Sequence, residues 1–338
     1  MLARTRSSWV RRSVRTVSDL DRFSAGLVTA GLVAAGLAVA LRPADLAHAA
    51  DSTAGPFLEV GAVVAAGWAA VRMGLFDPMT RLPRWLPASV KVALVLVLTA
   101  AIGGLVNLDL AVVVIMPVAF AVAADANRAA GTLAVSVAVV ANATSFLLPT
   151  SNLTNLLVTG HHGPPFARYA GDTWVAWAGV TVLTVAALVP LSARPTAPGP
   201  ARAMDADWSL RRIATDLAAM FLLASALRAL WTAGVTLPGG FAEQAMAGAG
   251  MASAADNLPV AAVVHGGTGA GPWAAILAMS AGANLFVTGS VATVLCRRLA
   301  IEAGATFPLR RFALTGAVLL PVQLAVAYAG PRLTGAIR

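Results

Sequence analysis

Asn107-Leu108-Asp109 and Ser151-Asn152-Leu153-Thr154-Asn155 in the first half of the chain, with Asp256-Asn257-Leu258-Pro259 and Asn284-Leu285-Phe286-Val287-Thr288-Gly289-Ser290 in the second, interrupt stretches that are otherwise apolar. Polar residues this dense at membrane depth are costly unless they line a cavity or bind something. Each half gives a short polar turn, which suits the tip of a helical hairpin. A longer polar run follows, which suits the unwound centre of a broken helix. That order, given twice, predicts a site at the bilayer midplane built from two hairpins and two discontinuous helices.

Composition sets the solvent. Hydrophobic residues make up 58% of the 338 and charged residues only 12%, with a mean hydropathy of +0.78. A soluble domain does not tolerate that balance, so the expected class is an all-α polytopic membrane protein. The net charge of +9 would suit a nucleic-acid partner, but its placement excludes one. With the helices threaded as below, all but five of the 24 Lys and Arg fall on one face, the five being Arg42, Arg168, Arg228, Arg332 and Arg338. The bias predicts a multi-pass protein of the cytoplasmic (inner) membrane with its N-terminus in the cytoplasm.

The expected organisation begins with a basic cytoplasmic segment, 1–22, and an unpaired helix, 23–41. Ala47-His48-Ala49 has the form of a signal-peptidase site. The apolar run before it is longer than the roughly 7–15 residues of a signal core, so it is read as a retained helix. Repeat 1 spans 56–193, with a scaffold helix at 56–76, an inner hairpin at 92–124, a broken helix at 129–160 and a closing helix at 173–193. A cytoplasmic linker, 194–212, leads to repeat 2 at 213–330. There a scaffold helix at 213–231 precedes an outer hairpin at 241–265, a broken helix at 266–296 and a closing helix at 312–330. The halves run in opposite orientation, an inverted repeat with two re-entrant hairpins and two broken transmembrane helices.

Where a helix stops inside the membrane, its free N–H groups carry partial positive charge and its free C=O groups partial negative charge. Hydroxyl and amide side chains complete a shell around a small polar solute or a cation. Ser151, Asn152, Thr154 and Asn155, then Asn284, Thr288 and Ser290, have that chemistry, joined by Thr144 and by the hairpin-tip residues Asn107 and Asn257. The competing role for any one of them is an interhelical hydrogen bond. Asp109 and Asp256 are the carboxylates nearest the expected midplane. Desolvation favours the neutral form of a carboxylate, which suits a proton carrier, while a bound cation favours the ionised one. Each is also a good cap for the helix after it.

Other candidates rank lower. Glu59 and Asp216 sit near expected helix ends, where snorkelling accounts for them. His48, His161 and His162 fall in expected outer loops without metal-ligand spacing, and His265 closes the second hairpin. The run Gly266-Gly267-Thr268-Gly269-Ala270-Gly271 lacks the Lys and preceding strand of a phosphate loop and reads as an outer turn. Cys296 is the only cysteine, which rules out an intrachain disulfide and a thiolate metal cage. No Ser/His or His/Glu arrangement marks an intramembrane enzyme.

These motifs resemble the ion transporter superfamily, and within it the arsenite/antimonite efflux permeases more than the sodium-dicarboxylate symporters. The matching residues are Asn107-Leu108-Asp109 with Pro117, Leu148-Pro149-Thr150-Ser151-Asn152-Leu153-Thr154-Asn155-Leu156, Asp256-Asn257-Leu258-Pro259, Gly282-Ala283-Asn284-Leu285 and Thr288-Gly289-Ser290-Val291-Ala292-Thr293-Val294-Leu295. They cover 91–158 and 213–299. The resemblance implies a secondary antiporter exporting a trivalent metalloid, as its neutral hydroxide, in exchange for protons. It also implies an elevator movement of hairpins and broken helices against the scaffold, and a homodimer through that scaffold. Two departures stand out: one scaffold helix per half instead of several, and Asp256-Asn257 where the permeases have Asn-Asn. No cofactor is expected beyond H+ or Na+ as coupling ion. Another small anion or sodium as the solute, and a degenerate relative that transports nothing, are the alternatives.

Overall fold

The structure, a computed structural model, describes residues 24–83, 85–159, 165–194, 210–231, 235–237, 239–265 and 272–335. The basic segment 1–22, most of the linker 194–212, His161, His162 and the glycine run 266–271 lie outside these. Seven helices among the described residues are long and apolar enough to cross a membrane. They are α1 (Ser24–Leu41), α2 (Pro43–Arg72), α4 (Ala88–Leu105), α5 (Leu108–Asp125), α8 (Phe166–Ser192), α9 (Leu210–Leu230) and α14 (Leu309–Leu333). The shorter helices are α3 (Asp77–Thr80), α6 (Ala130–Ala143), α7 (Leu153–Thr159), α10 (Phe241–Ala255), α11 (Asn257–Val263), α12 (Trp273–Gly282) and α13 (Val291–Glu302). A short parallel ladder pairs β1 (Val235–Thr236) with β2 (Val264–His265).

Burial runs from inside outward as a bilayer requires. Every residue of α6 and of α12 is buried, and helices apolar on all sides belong at the centre. Outer helices turn large apolar side chains outward, among them Leu32 and Val39 on α1, Leu58 on α2 and Val318 on α14. Such an apolar exterior matches hydrocarbon, as the composition requires.

The 92–124 segment is a hairpin: α4 and α5 are 18-residue arms broken only at Val106-Asn107. Each arm is roughly 27 Å long. Lys91, buried near the start of α4, pairs with Asp125 at the end of α5 and clamps the open end. The 129–160 segment breaks between α6 and α7 around a 3-10 turn, Pro149–Ser151. In the second half, α10 and α11 form the 241–265 hairpin with Asp256 between them. The 266–296 segment breaks between α12 and α13 around a 3-10 turn, Val287–Gly289.

Several boundaries differ from expectation. The outer loop expected before 56 is helical, so α2 starts at Pro43 and carries His48 inside it. Proline at the first helical position gives up an N–H that would have no partner there. Asp45 lies in the first turn, with Arg42 3.5 Å away, and the alanines beyond favour helix. Glu59 therefore lies within α2 and is exposed, not at its end. α8 begins at Phe166 after Pro165, seven residues ahead of expectation. α13 runs to Glu302, past Arg297 and Arg298, which were read as its end.

Candidate functional site

Four helix N-termini point into the region between the two halves, and each is capped by a polar side chain that the sequence singled out. The Asn107 carboxamide oxygen accepts from the N–H groups of Asp109 (2.8 Å) and Leu110 (3.2 Å) at the start of α5. The Asn152 oxygen accepts from Thr154 N–H at α7 (3.1 Å). A carboxylate oxygen of Asp256 accepts from Leu258 N–H at α11 (3.0 Å), and the Ser290 hydroxyl from Ala292 N–H at α13 (3.2 Å). Asn, Asp and Ser are the residues that perform this task best.

The two breaks share one backbone path. Leu148 (φ −121°, ψ 155°) and Asn152 (−149°, 135°) flank the first 3-10 turn. Phe286 (−129°, 150°) and Ser290 (−158°, 140°) flank the second almost identically. The hairpin turns differ. Asn107 is extended, whereas Asp256 has φ +69° and ψ 139°.

One cavity joins the four breaks. It is lined by Asp109, Asn152, Asn257 and Ser290, with Leu108, Leu153, Leu258 and Val291 beside them and Val60 and Leu217 from α2 and α9. The turns of both hairpins therefore face the same space. At about 20 Å³ the cavity has room for roughly one water. Among the described residues no Lys or Arg lines it, so it suits a neutral or singly charged polar solute. The N-terminal ends of the longer helices α5 and α13 add partial positive charge.

The remaining candidates lie off the cavity wall. Asn107 is buried behind it, its amide donating to the Thr150 carbonyl at 3.4 Å. The Asn155 amide donates to Ser145 O (2.9 Å), Leu148 O (3.2 Å) and Ser151 Oγ (3.2 Å), stapling the first break. Ser151 donates to Leu148 O, and Thr144 back-bonds to Val140 O within its own helix. Thr154 is buried, and its hydroxyl has no partner among the described residues. Thr288 is exposed at the second break. Asn284 accepts from the Asn142 amide (3.0 Å) and donates to Val139 O (3.1 Å), so it ties the second break to α6.

Two features were missed by sequence reasoning. Asn142 also donates to Thr293 Oγ1 at 2.7 Å, which makes it the centre of a buried polar bridge between the broken helices. An Asn in an uncharged run was the available signal. Asp216 and Arg298, expected at helix ends, are 6% and 5% exposed and pair at 3.2 Å. Nothing in their own segments shows that α9 and α13 meet.

The chain was compared with family models, with curated proteins and with solved structures, and none of the three gave a match.

Proposed function

We propose that this chain is a secondary active transporter, not an enzyme, built as an inverted repeat whose two re-entrant hairpins and two broken helices enclose a solute site. One observation carries the reading: Asp109, Asn152, Asn257 and Ser290, two from each half, line a single cavity at four capped helix breaks. The matched backbone at the two breaks supports the repeat.

In this reading α2 and α9 are the scaffold, and the hairpins with the broken helices are the moving body. Val60 on α2 and Leu217 on α9 line the cavity, so in this reading its wall is shared between scaffold and moving body. The cavity is too tight for more than about one water, so a solute enters only as the body moves away from the scaffold. Hydroxyl, amide and helix-end partners with no lining cation suit a neutral trihydroxide, which both donates and accepts hydrogen bonds. The resemblance in the motifs implies export of an arsenite- or antimonite-like metalloid in exchange for protons, with Asp109 and Asp256 as proton carriers and the N-terminus in the cytoplasm of a cell with an inner membrane. The resemblance in the motifs adds a homodimer through the scaffold. A small monovalent anion is the second reading, favoured by the N-terminal ends of α5 and α13 at the cavity.

The test is proton flux in proteoliposomes on addition of arsenite, antimonite, sodium or small carboxylates. Arsenite- or antimonite-dependent flux is the expected result. A response to sodium or carboxylate alone redirects the substrate, and silence toward all four refutes a coupled transporter of these solutes.

A further inference from the structure

Asp216 on α9 and Arg298 on α13 form an ion pair between two helices that play different parts in the proposed cycle. Their charged atoms are 3.2 Å apart, and their side chains are 8% and 6% exposed. Arg298 also donates to Ser24 Oγ at the start of α1, at 2.9 Å. The packing around the pair is incomplete. A second cavity of about 10 Å³, lined by Leu27, Ile213, Val294 and Leu295, opens beside it and shares Val291 with the first. Asp216 Oδ1 and Arg298 Nε have no partner among the described residues. A charge pair that only strengthened the fold would be expected to have these groups satisfied too, since burying an ion without its full set of hydrogen bonds is costly. Here the pair spans α9, assigned to the scaffold, and α13, assigned to the moving body.

We infer that Asp216 and Arg298 are positioning residues of the transport cycle, an ionic lock that holds the moving body against the scaffold in this conformation and opens once per cycle. The inference rests on the elevator reading. The lock ties Val291, at the head of α13, to α9 beside Leu217, so the wall of the solute cavity stays closed while the pair is intact. Removing one partner strands the other charge in a buried site in this state only, because a separated pair reaches water. The equilibrium then moves away from this state.

Spin labels on exposed Leu58 of α2 and Met246 of α10, placed on cysteines in a Cys296→Ala background, report the distance between scaffold and moving body in the full chain in lipid nanodiscs. The wild-type protein should give two distances. Arg298→Gln, and the isosteric Asp216→Asn read in parallel in case the first fails to fold, should each deplete the distance of the present conformation by roughly tenfold or more. The double variant Asp216→Asn/Arg298→Gln leaves no unpaired charge and should return most of that population. An unchanged ratio in the single variants overturns the lock. So does a double variant as displaced as either single, which would assign the effect to lost packing. A single distance in the wild-type protein refutes instead the moving-body reading on which the lock rests.

Discussion

Asp256 occupies a backbone conformation, φ +69° and ψ 139°, that few residues with a Cβ adopt. Holding a non-glycine residue there costs on the order of 1–3 kcal/mol. A glycine would relieve that cost, so the carboxylate offers something glycine lacks. It caps Leu258 N–H at 3.0 Å, and in the proposed mechanism it carries a proton. The two roles separate in Asp256→Asn. Asparagine caps nearly as well and tolerates positive φ, but does not titrate. The variant should fold with wild-type thermal stability and lose proton-driven arsenite flux in proteoliposomes, keeping at most downhill exchange. Wild-type flux with the same pH response would leave Asp256 as a helix cap alone. Asn107, its counterpart, caps with two bonds from an extended backbone, so the titratable group in that half is Asp109 on the cavity wall.

At the scale of elements, the breaks are packed tightly by neighbouring helices. Gly316 on α14 lies against the Asn284 carbonyl, and a Cβ there would collide with backbone that has no free arm to swing away. Gly36 on α1 has open space around it. Gly316→Ala should therefore lower stability by about 1–3 kcal/mol. Gly36→Ala should be neutral or stabilising by up to about 1 kcal/mol, because alanine is the better helix former. Thermal unfolding in detergent compares the two directly, and equal behaviour would show that α14 does not press on the second break. The same carbonyl belongs to the residue whose side chain reaches Asn142 on α6. The second break is thus held from two sides.

For the molecule as a whole, the charge bias makes a prediction about sidedness. Arg42, between α1 and α2, and Arg310, in α14, are both exposed, and positive-inside logic places them on opposite faces. In intact cells Arg42→Cys should react with a membrane-impermeant maleimide. Arg310→Cys should react only after permeabilisation. The native Cys296 is 0% exposed and should stay silent in both. Labelling of both positions from outside would break the threading on which the inverted orientation depends.

The sequence by itself determined the all-helical, apolar class and the places where the helices break, because these follow from local rules. An uncharged run too long for one crossing must break. It breaks where Asn, Asp, Ser and Pro compete with the helix for backbone hydrogen bonds. Of the caps, Asp256 was legible for the same reason; Asp109, expected to cap α5, lies inside its first turn, and Asn107 caps that helix instead. The start of α2 at Pro43 was not, since a polar, alanine-rich stretch reads as loop until its tertiary neighbours are known; in the fold Thr53 bonds Ser225 of α9 at 2.8 Å. Tertiary structure alone decided which polar residues face the cavity. Asn284 and Asn152 belong to equivalent breaks, yet one bridges helices and the other lines the site. It alone also brought Asp216 to Arg298, 82 positions apart in the chain. A side chain's partner across a helix interface depends on how the helices pack, and periodicity along one helix carries no record of that.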